Sequence, residues 1–129
     1  MIYLDTSVAL AQILAEDRAP PDSLWKEELI SSRLLEYEVW NRLHARGLGS
    51  SHGEAARAVL AEVAFLELTP QTLTRALEPF PAPVRTLDAL HLASAEYLRM
   101  QGQKVHIAAY DERLLAGARK MGIEIYPLS

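Results

Sequence analysis

Four carboxylates spread along the chain carry the most chemistry: Asp5, Glu38, Asp88 and Asp111. Asp5 closes a short apolar run, Ile2-Tyr3-Leu4, of strand-favouring type, and Thr6-Ser7 lead from it into the helix-like apolar segment Val8 to Leu14. A buried strand feeding a helix through a tight turn is half of a βαβ unit. In open parallel sheets, ligands bind beyond the carboxyl ends of the strands, where the strand order reverses. Asp111 stands at a second strand-to-helix junction and is the positional twin of Asp5. If both strands are central in the sheet, the two aspartates lie side by side. Asp88 falls in the first turn of a helix, where unpaired backbone N–H groups and the helix dipole favour an ionised carboxylate. Glu38 lies one turn into the helix after the second strand, off the Leu35/Val39/Leu43 stripe.

Each of these acids also has an ordinary explanation. An aspartate at a helix start is commonly a cap, and a helical glutamate is commonly solvated. Asp5 fits that pattern least, because a carboxylate closing a buried strand is costly unless something pairs with it. Two unit charges ~4 Å apart repel by about 4 kcal/mol at an effective dielectric near 20, and four acids at one edge make several such pairs. Either some are protonated or a cation is bound. The chain has no cysteine and no His-x-x-x-His pair, so hard oxygen ligands would select Mg²⁺ or Mn²⁺ over zinc. Such ions activate water and stabilise the oxyanions of phosphodiester hydrolysis, often as a pair ~3.5–4 Å apart.

The elements that must position these acids follow from pattern. The polar, proline-broken run 16–22 ends the first helix near Ala15, and Pro21 or Asp22 opens a second with Leu24, Trp25 and Leu29. Leu29 to Ser32 forms a second strand, and 33–46 is a helix with apolar residues at four-residue spacing. Gly47 to Ser51 is a break with Ser50 or Ser51 as N-cap for a helix over 54–64. Phe65 to Leu68 is a third strand, Thr69-Pro70 starts a helix with Leu73 and Leu77, and 79–83 is a proline-rich loop. Thr86 caps a helix to about Met100, with Gly102 just past its end. Val105 to Ala109 is a fourth strand, 111–121 the last long helix, and Ile123 to Tyr126 a fifth strand. This alternation predicts an α/β fold, a three-layer α/β/α sandwich around a mostly parallel sheet of about five strands.

The 129 residues suit a single domain over 1–129, and at 50% hydrophobic they can bury a core without staples. The missing cysteines exclude disulfides and fit a reducing, cytoplasmic setting. No stretch approaches ~18 uninterrupted apolar residues, so no membrane span is expected. The start lacks a basic n-region, so no signal peptide is expected. A net charge of −4 argues against a dominant basic surface, although acids gathered at a metal site would leave the remaining surface closer to neutral.

Asp5-Thr6-Ser7 after the first strand, Ser32-x-Leu34-x-x-x-Glu38-Val39, Leu87-Asp88-Ala89-Leu90-His91-Leu92-Ala93, and Tyr110-Asp111-x-Arg113-Leu114 together resemble the four motifs of PIN-domain nucleases. Within that family the length and motif style are most similar to VapC-type toxins of toxin–antitoxin pairs. The resemblance covers essentially the whole chain, and the Leu87–Ala93 segment is its most specific piece. It implies a Mg²⁺- or Mn²⁺-dependent endoribonuclease whose metal-binding and catalytic acids are Asp5, Glu38, Asp88 and Asp111. It further implies a homodimer, held inactive by a cognate VapB-type antitoxin that inserts a segment into the acidic site. Thr6 and Asn41 fall where the family often has polar, site-lining side chains. One position departs: many members have Ser or Thr two residues before the fourth acid, where this chain has Ala109.

Of the remaining residues, His91, three after Asp88, is expected as a packed, hydrogen-bonded histidine under the site, with orienting a metal ligand or shuttling a proton as the sharper reading. Arg42, His44, Arg46 and Arg113 are candidates for holding RNA phosphates. Tyr37, Trp40 and Trp25 are candidate interface anchors. Glu36 and Glu112 read as surface. Two rival functions stand beside the ribonuclease. One is a receiver-like domain with Asp5 as phosphoacceptor, for which Lys104, before its strand, is poorly placed. The other is a PIN-like interaction module without turnover.

Overall fold

Ile2, Tyr3 and Leu4 are almost wholly withdrawn from solvent, so β1 (Ile2–Leu4) is covered on both faces, as a central strand of a parallel sheet must be. The computed structural model describes residues 1–128. Around β1 it places β2 (Leu29–Ser32), β3 (Val63–Leu66), β4 (His106–Ala108) and β5 (Glu124–Ile125) in the order β3-β2-β1-β4-β5. Every pairing is parallel, with Ile2 beside Leu29 on one side and beside His106 on the other. The helices are α1 (Thr6–Leu14), α2 (Leu34–Ala45), α3 (Gly49–Ala61), α4 (Pro70–Ala76), α5 (Thr86–Met100) and α6 (Glu112–Lys120).

The period of two along the strands sorts the core into two layers. Ile2, Leu4, Leu29 and Val63 pack with Val8 and Ile13 of α1, Leu35, Val39 and Leu43 of α2, and Val59 and Leu60 of α3. Tyr3, Val105 and Ile107 face the other way, onto Leu92 and Leu98 of α5 and Leu114, Leu115 and Ala118 of α6. The predicted α/β/α sandwich is therefore the observed one, with a wholly parallel sheet. No helix among the described residues is long and apolar enough to cross a membrane.

Local differences have physical causes. The helix expected after Pro21 is only a 3-10 helix, Asp22–Lys26, because Leu24 alone is buried there and the chain must reach β2 within a few residues. β3 starts two residues earlier than expected, since pairing Leu29 with Val63 puts buried Val63 against the core. Ser50 and Ser51 do not cap α3. The helix begins at Gly49 after Leu48, and the Ser51 hydroxyl donates back to the Leu48 carbonyl. Thr86 is the first residue of α5 and Arg85 its N-cap. In α4, capped by the Thr69 hydroxyl, Thr72 turns inward while Leu73 and Leu77 face solvent.

α1 ends on Ala15 in the left-handed conformation, at φ 51° and ψ 49°, where its N–H closes the last turn onto Ala11 and Gln12. That geometry normally calls for glycine, and a Cβ there costs about 1–2 kcal/mol. Ala15→Gly should therefore stabilise the fold by about 1 kcal/mol, net of its greater unfolded-state entropy. A urea midpoint unchanged or lowered would contradict this account of the α1 terminus.

Candidate active site

The strand order reverses at β1: the chain runs outward through β2 and β3, then returns to place β4 on the opposite side of β1. Ligands collect at such a switch point, beyond the carboxyl ends of the strands. The Asp5 N–H donates to the Ala108 carbonyl at 2.9 Å, so the ends of β1 and β4 are bonded together there. Asp5 is the N-cap of α1 and accepts from the Ser7 N–H at 3.2 Å and the Ser7 hydroxyl at 2.5 Å. Asp111 is the N-cap of α6 and accepts from the N–H groups of Arg113 (2.9 Å) and Leu114 (3.3 Å). Asp88, in the first turn of α5, reaches back to the Arg85 N–H at 3.3 Å. Glu38 accepts from the Thr6 hydroxyl at 3.0 Å and lies 2.6 Å from His91 Nε2. All four acids line one cleft of about 440 Å³, together with Thr6, Ser7, His91, Arg42 and Arg85.

Beneath Glu38 runs a buried polar chain. The Ser32 N–H donates to the Tyr3 hydroxyl at 3.2 Å, that oxygen lies 2.7 Å from His91 Nδ1, and His91 Nε2 meets Glu38 Oε1. Tyr3 is fully buried and His91 nearly so, with the two rings edge to face at 76°. Burial disfavours the His91 imidazolium, yet the Tyr3 oxygen, the Glu38 hydrogen bond and the carboxylate charges of Asp5 and Glu38 outweigh it. The pKa of His91 lies well above the ordinary histidine value. His91 bonds through both ring nitrogens, to the Tyr3 hydroxyl and to the Glu38 carboxylate, and so ties α5 to β1 and α2.

Burial pushes the Asp5 carboxyl above its usual range, against the His91 charge and the Ser7 hydrogen bonds, with Glu38 adding repulsion. Asp88 is raised chiefly by burial as well. The Arg85 N–H opposes that shift, and the charges of Asp111 and Asp5 add to it. Among the described residues no lysine or arginine forms an ion pair with any of the four acids. Each acid gives one oxygen to its protein partners and leaves the other without a hydrogen bond from a described residue. Trp25 Nε1 is the only fully buried, unpartnered side-chain polar atom described, so these free oxygens open on solvent. An all-oxygen, anionic donor set of this kind suits a hard divalent cation. The acids share the cleft without closing into a cage: among the described residues, no three acid or histidine groups surround a common point as metal ligands do. Their anchors are on four different helices, α1, α2, α5 and α6.

Thr6 reaches the cleft as a donor to Glu38. Asn41 does not: it is exposed and lines an adjoining groove with Tyr37, Trp40 and His44. Arg113, an expected phosphate contact, is exposed and outside the cleft, whereas Arg42 lines it. Lys104 precedes β4 and so stands at the opposite edge of the sheet from Asp5, which leaves the phosphoacceptor reading without its lysine. Ala109 is buried in the core layer beneath α5 and α6. A hydroxyl still serves the turn before Asp111, because Ser7 Oγ accepts from the Tyr110 N–H at 2.9 Å. Pattern reasoning missed Ser7, Tyr3 and Arg85 as site residues. Only Ser7 left a usable signal, a second hydroxyl directly after Asp5-Thr6; Tyr3 looks like any strand aromatic and Arg85 like any loop cation.

Comparison with known proteins supplies a family. The model of the PIN domain family matches residues 2–120. Ribonuclease VapC47 of Mycobacterium tuberculosis (strain CDC 1551 / Oshkosh) is 32% identical over 129 residues, covering 95% of this chain and 93% of that protein. Ribonuclease VapC46 of Mycobacterium tuberculosis (strain ATCC 25618 / H37Rv) is 30% identical, with 96% and 95% covered. The crystal structure of Mycobacterium tuberculosis VapC20, described as a sarcin-ricin loop cleaving toxin, aligns with a TM-score of 0.68 at 22% identity over 98% of this chain and 100% of that one. That likeness bears on the fold alone.

Removing the Tyr3 hydroxyl strips partners from His91 Nδ1 and from the buried Ser32 N–H. Tyr3→Phe should cost about 1–3 kcal/mol in chemical denaturation although the substitution is nearly isosteric. A loss of less than about 0.5 kcal/mol would show that the buried chain is not under tension from that hydroxyl.

Proposed function

Because the chain belongs to the PIN domain family, we propose that it is a divalent-metal-dependent endoribonuclease of the VapC type, with Mg²⁺ or Mn²⁺ held by Asp5, Asp88 and Asp111 and the site completed by Glu38. The observation that carries this reading is the gathering of four acids from four helices at one switch-point cleft, with no lysine or arginine among the described residues paired to them. A bound divalent ion would supply water activation and charge neutralisation at the phosphodiester. The chain's own residues do the remaining work. Thr6 and His91 fix Glu38 Oε1, leaving Oε2 to orient an attacking water. Arg42 and Arg85, on the walls of the same cleft, hold the non-bridging oxygens and flanking phosphates of the strand. His91, already bonded to Glu38, holds a proton next to the carboxylate that faces the substrate.

The same reading extends to partners and setting. The protein is a cytoplasmic single-domain toxin that works as a homodimer. A VapB-type antitoxin silences it by placing a basic side chain among acids that have no lysine or arginine partner among the described residues. These statements rest on the family and on the charge of the cleft.

Asp5→Asn tests the activity. It keeps an acceptor for Ser7 while removing the charge, so cleavage of a mixed RNA pool should fall by about 10³-fold with the fold intact by circular dichroism. Chelation should abolish wild-type cleavage, and Mg²⁺ or Mn²⁺ should restore it. Activity retained by rigorously purified Asp5→Asn would defeat the proposal.

The raised carboxyls add a pH signature. Native pKa values above 3.8 at Asp5 and Asp88 mean that the stability they contribute is complete in acid and is lost as pH rises through the raised values. A divalent ion competes with those protons. The rise in melting temperature given by Mn²⁺ should therefore be larger at about pH 7.5 than at about pH 4.5. Equal shifts at both would argue that the ion binds away from these acids.

A further inference from the structure

Next to the acid cleft, and continuous with it through Glu38 and Leu87, lies an open groove of about 640 Å³ between α2 and the start of α5. The two differ in chemistry. The cleft carries Arg42 and Arg85, whereas the groove has no arginine or lysine in its walls. Its surface is ring and aliphatic from Tyr37, Trp40 and Leu87, with hydrogen-bonding groups from Glu36 and Asn41. A phosphate would find no counter-charge there, but a flat, neutral, polar-edged molecule would.

Helical spacing explains why the two sites adjoin. Glu38 and Arg42 are four apart and form the stripe of α2 that faces the cleft, while Tyr37, Asn41 and His44 form the neighbouring stripe at i, i+4 and i+7. Trp40 is already covered, with His44 stacked at 5.8 Å and the Arg57 guanidinium 5.8 Å from its ring. Tyr37 is 67% exposed and has no aromatic or cationic neighbour over its ring among the described residues. The Asn41 amide makes no hydrogen bond to any described residue, so its donor and acceptor are both available.

We propose that this groove is a nucleobase subsite: Tyr37 stacks on an unpaired base adjoining the scissile phosphate, and Asn41 pairs with that base's edge. The proposal rests on the ribonuclease reading of the acid cleft and deepens it. A base inside a duplex has both faces stacked, so the subsite selects single-stranded or looped RNA. Asn41 offers one donor and one acceptor side by side, which matches the N6/N7 edge of adenine, and Glu36 adds an acceptor for an exocyclic amine. The N3–H/O4 edge of uracil also suits an amide but has no exocyclic amine, so Glu36 is what favours adenine over uracil. A peptide from a partner protein would meet the same apolar walls. RNA is the better occupant because the groove begins one residue from Glu38 and opens directly into the cleft that carries the arginines.

The test uses short unstructured oligoribonucleotides differing only in adenine or uracil beside the cut. Binding is read by fluorescence anisotropy in the Asp5→Asn background, and cleavage with otherwise wild-type protein. Tyr37→Ala should raise Kd and KM about 5- to 100-fold with kcat nearly unchanged, and Tyr37→Phe should recover wild-type values. Asn41→Ala should weaken binding of both oligonucleotides, and Glu36→Ala should erase the preference for adenine. Unchanged Kd and KM in Tyr37→Ala, while Asp5→Asn still abolishes cleavage, would overturn the subsite and leave the ribonuclease standing. The same result with binding of a partner protein lost in Tyr37→Ala would assign the groove to that partner instead. Cleavage surviving in Asp5→Asn would remove the ribonuclease reading, and the subsite with it.

Discussion

Like charges gathered at one edge of a five-stranded sheet repel, and this molecule restrains the three aspartates with helix-start N–H groups rather than with lysine or arginine. Asp5 and Asp111 sit at the N-termini of α1 and α6 and Asp88 in the first turn of α5, each held by backbone N–H groups. Helix N-termini are suited to this task because their unpaired donors and dipole stabilise an anion without neutralising it. A lysine or arginine in the same place would hold the acids equally well but would occupy the oxygens that an incoming cation needs. The choice of caps therefore keeps one oxygen of each carboxylate open. It also explains why the burial of Asp5 and Asp88 leaves their carboxyls above the usual range instead of below it.

Glu38 is the exception, since it lies within α2 and no helix start serves it. Its anchor is assembled from three other elements: Thr6 opening α1, His91 on α5, and through His91 the hydroxyl of Tyr3 on β1. Polar groups buried this deeply are costly unless fully paired, and here the Ser32 N–H completes the chain. The alternation of β1 makes the arrangement possible. Ile2 and Leu4 point into the layer beneath α1–α3, which leaves Tyr3 on the opposite face, directed at α5. One strand thus supplies Asp5 at its tip and the strut for Glu38 through its middle.

The parts of this design that were legible in the sequence are those governed by local pattern. Asp5 after an apolar triplet, Asp111 before a helix with Leu114 and Leu115 inward, and Asp88 just inside a helix start all announce themselves by position. Their convergence followed from the switch-point rule once β1 and β4 were taken as neighbours. Long-range pairings left no such mark. That Tyr3 meets His91, 88 residues away, or that Ser7 Oγ reaches Tyr110, 103 residues away, depends on strand order and register, which spacing alone does not fix. Asn41, which the family resemblance marks as a polar site-lining residue, shows a finer limit of local spacing. Three residues beyond Glu38 it shares the same general face of α2, but the 60° of helical offset turns it out of the cleft and onto the groove. Ser50 and Ser51 failed as caps because α3 starts earlier than its alanine-rich stretch suggests.

The inner face of α2 buries Leu35, Val39 and Leu43, and this stripe locks the rotation of the helix against the core. With that rotation fixed, Glu38 and Arg42 must look toward the acids, and Tyr37 and Asn41 must look away from them by a fraction of a turn. A substitution in the Leu35 stripe that rolled the helix would move both outer stripes together, so the position of Glu38 and the shape of the neighbouring groove are one structural variable. The His91 bond sets that variable from the other side, because Glu38 is the point where the core-locked helix meets the buried chain from β1. Helix orientation in this fold is thus determined twice, by apolar packing beneath α2 and by a charged hydrogen bond at its outer edge. Only a backbone that satisfies both brings Glu38 to the cleft where the three aspartates lie.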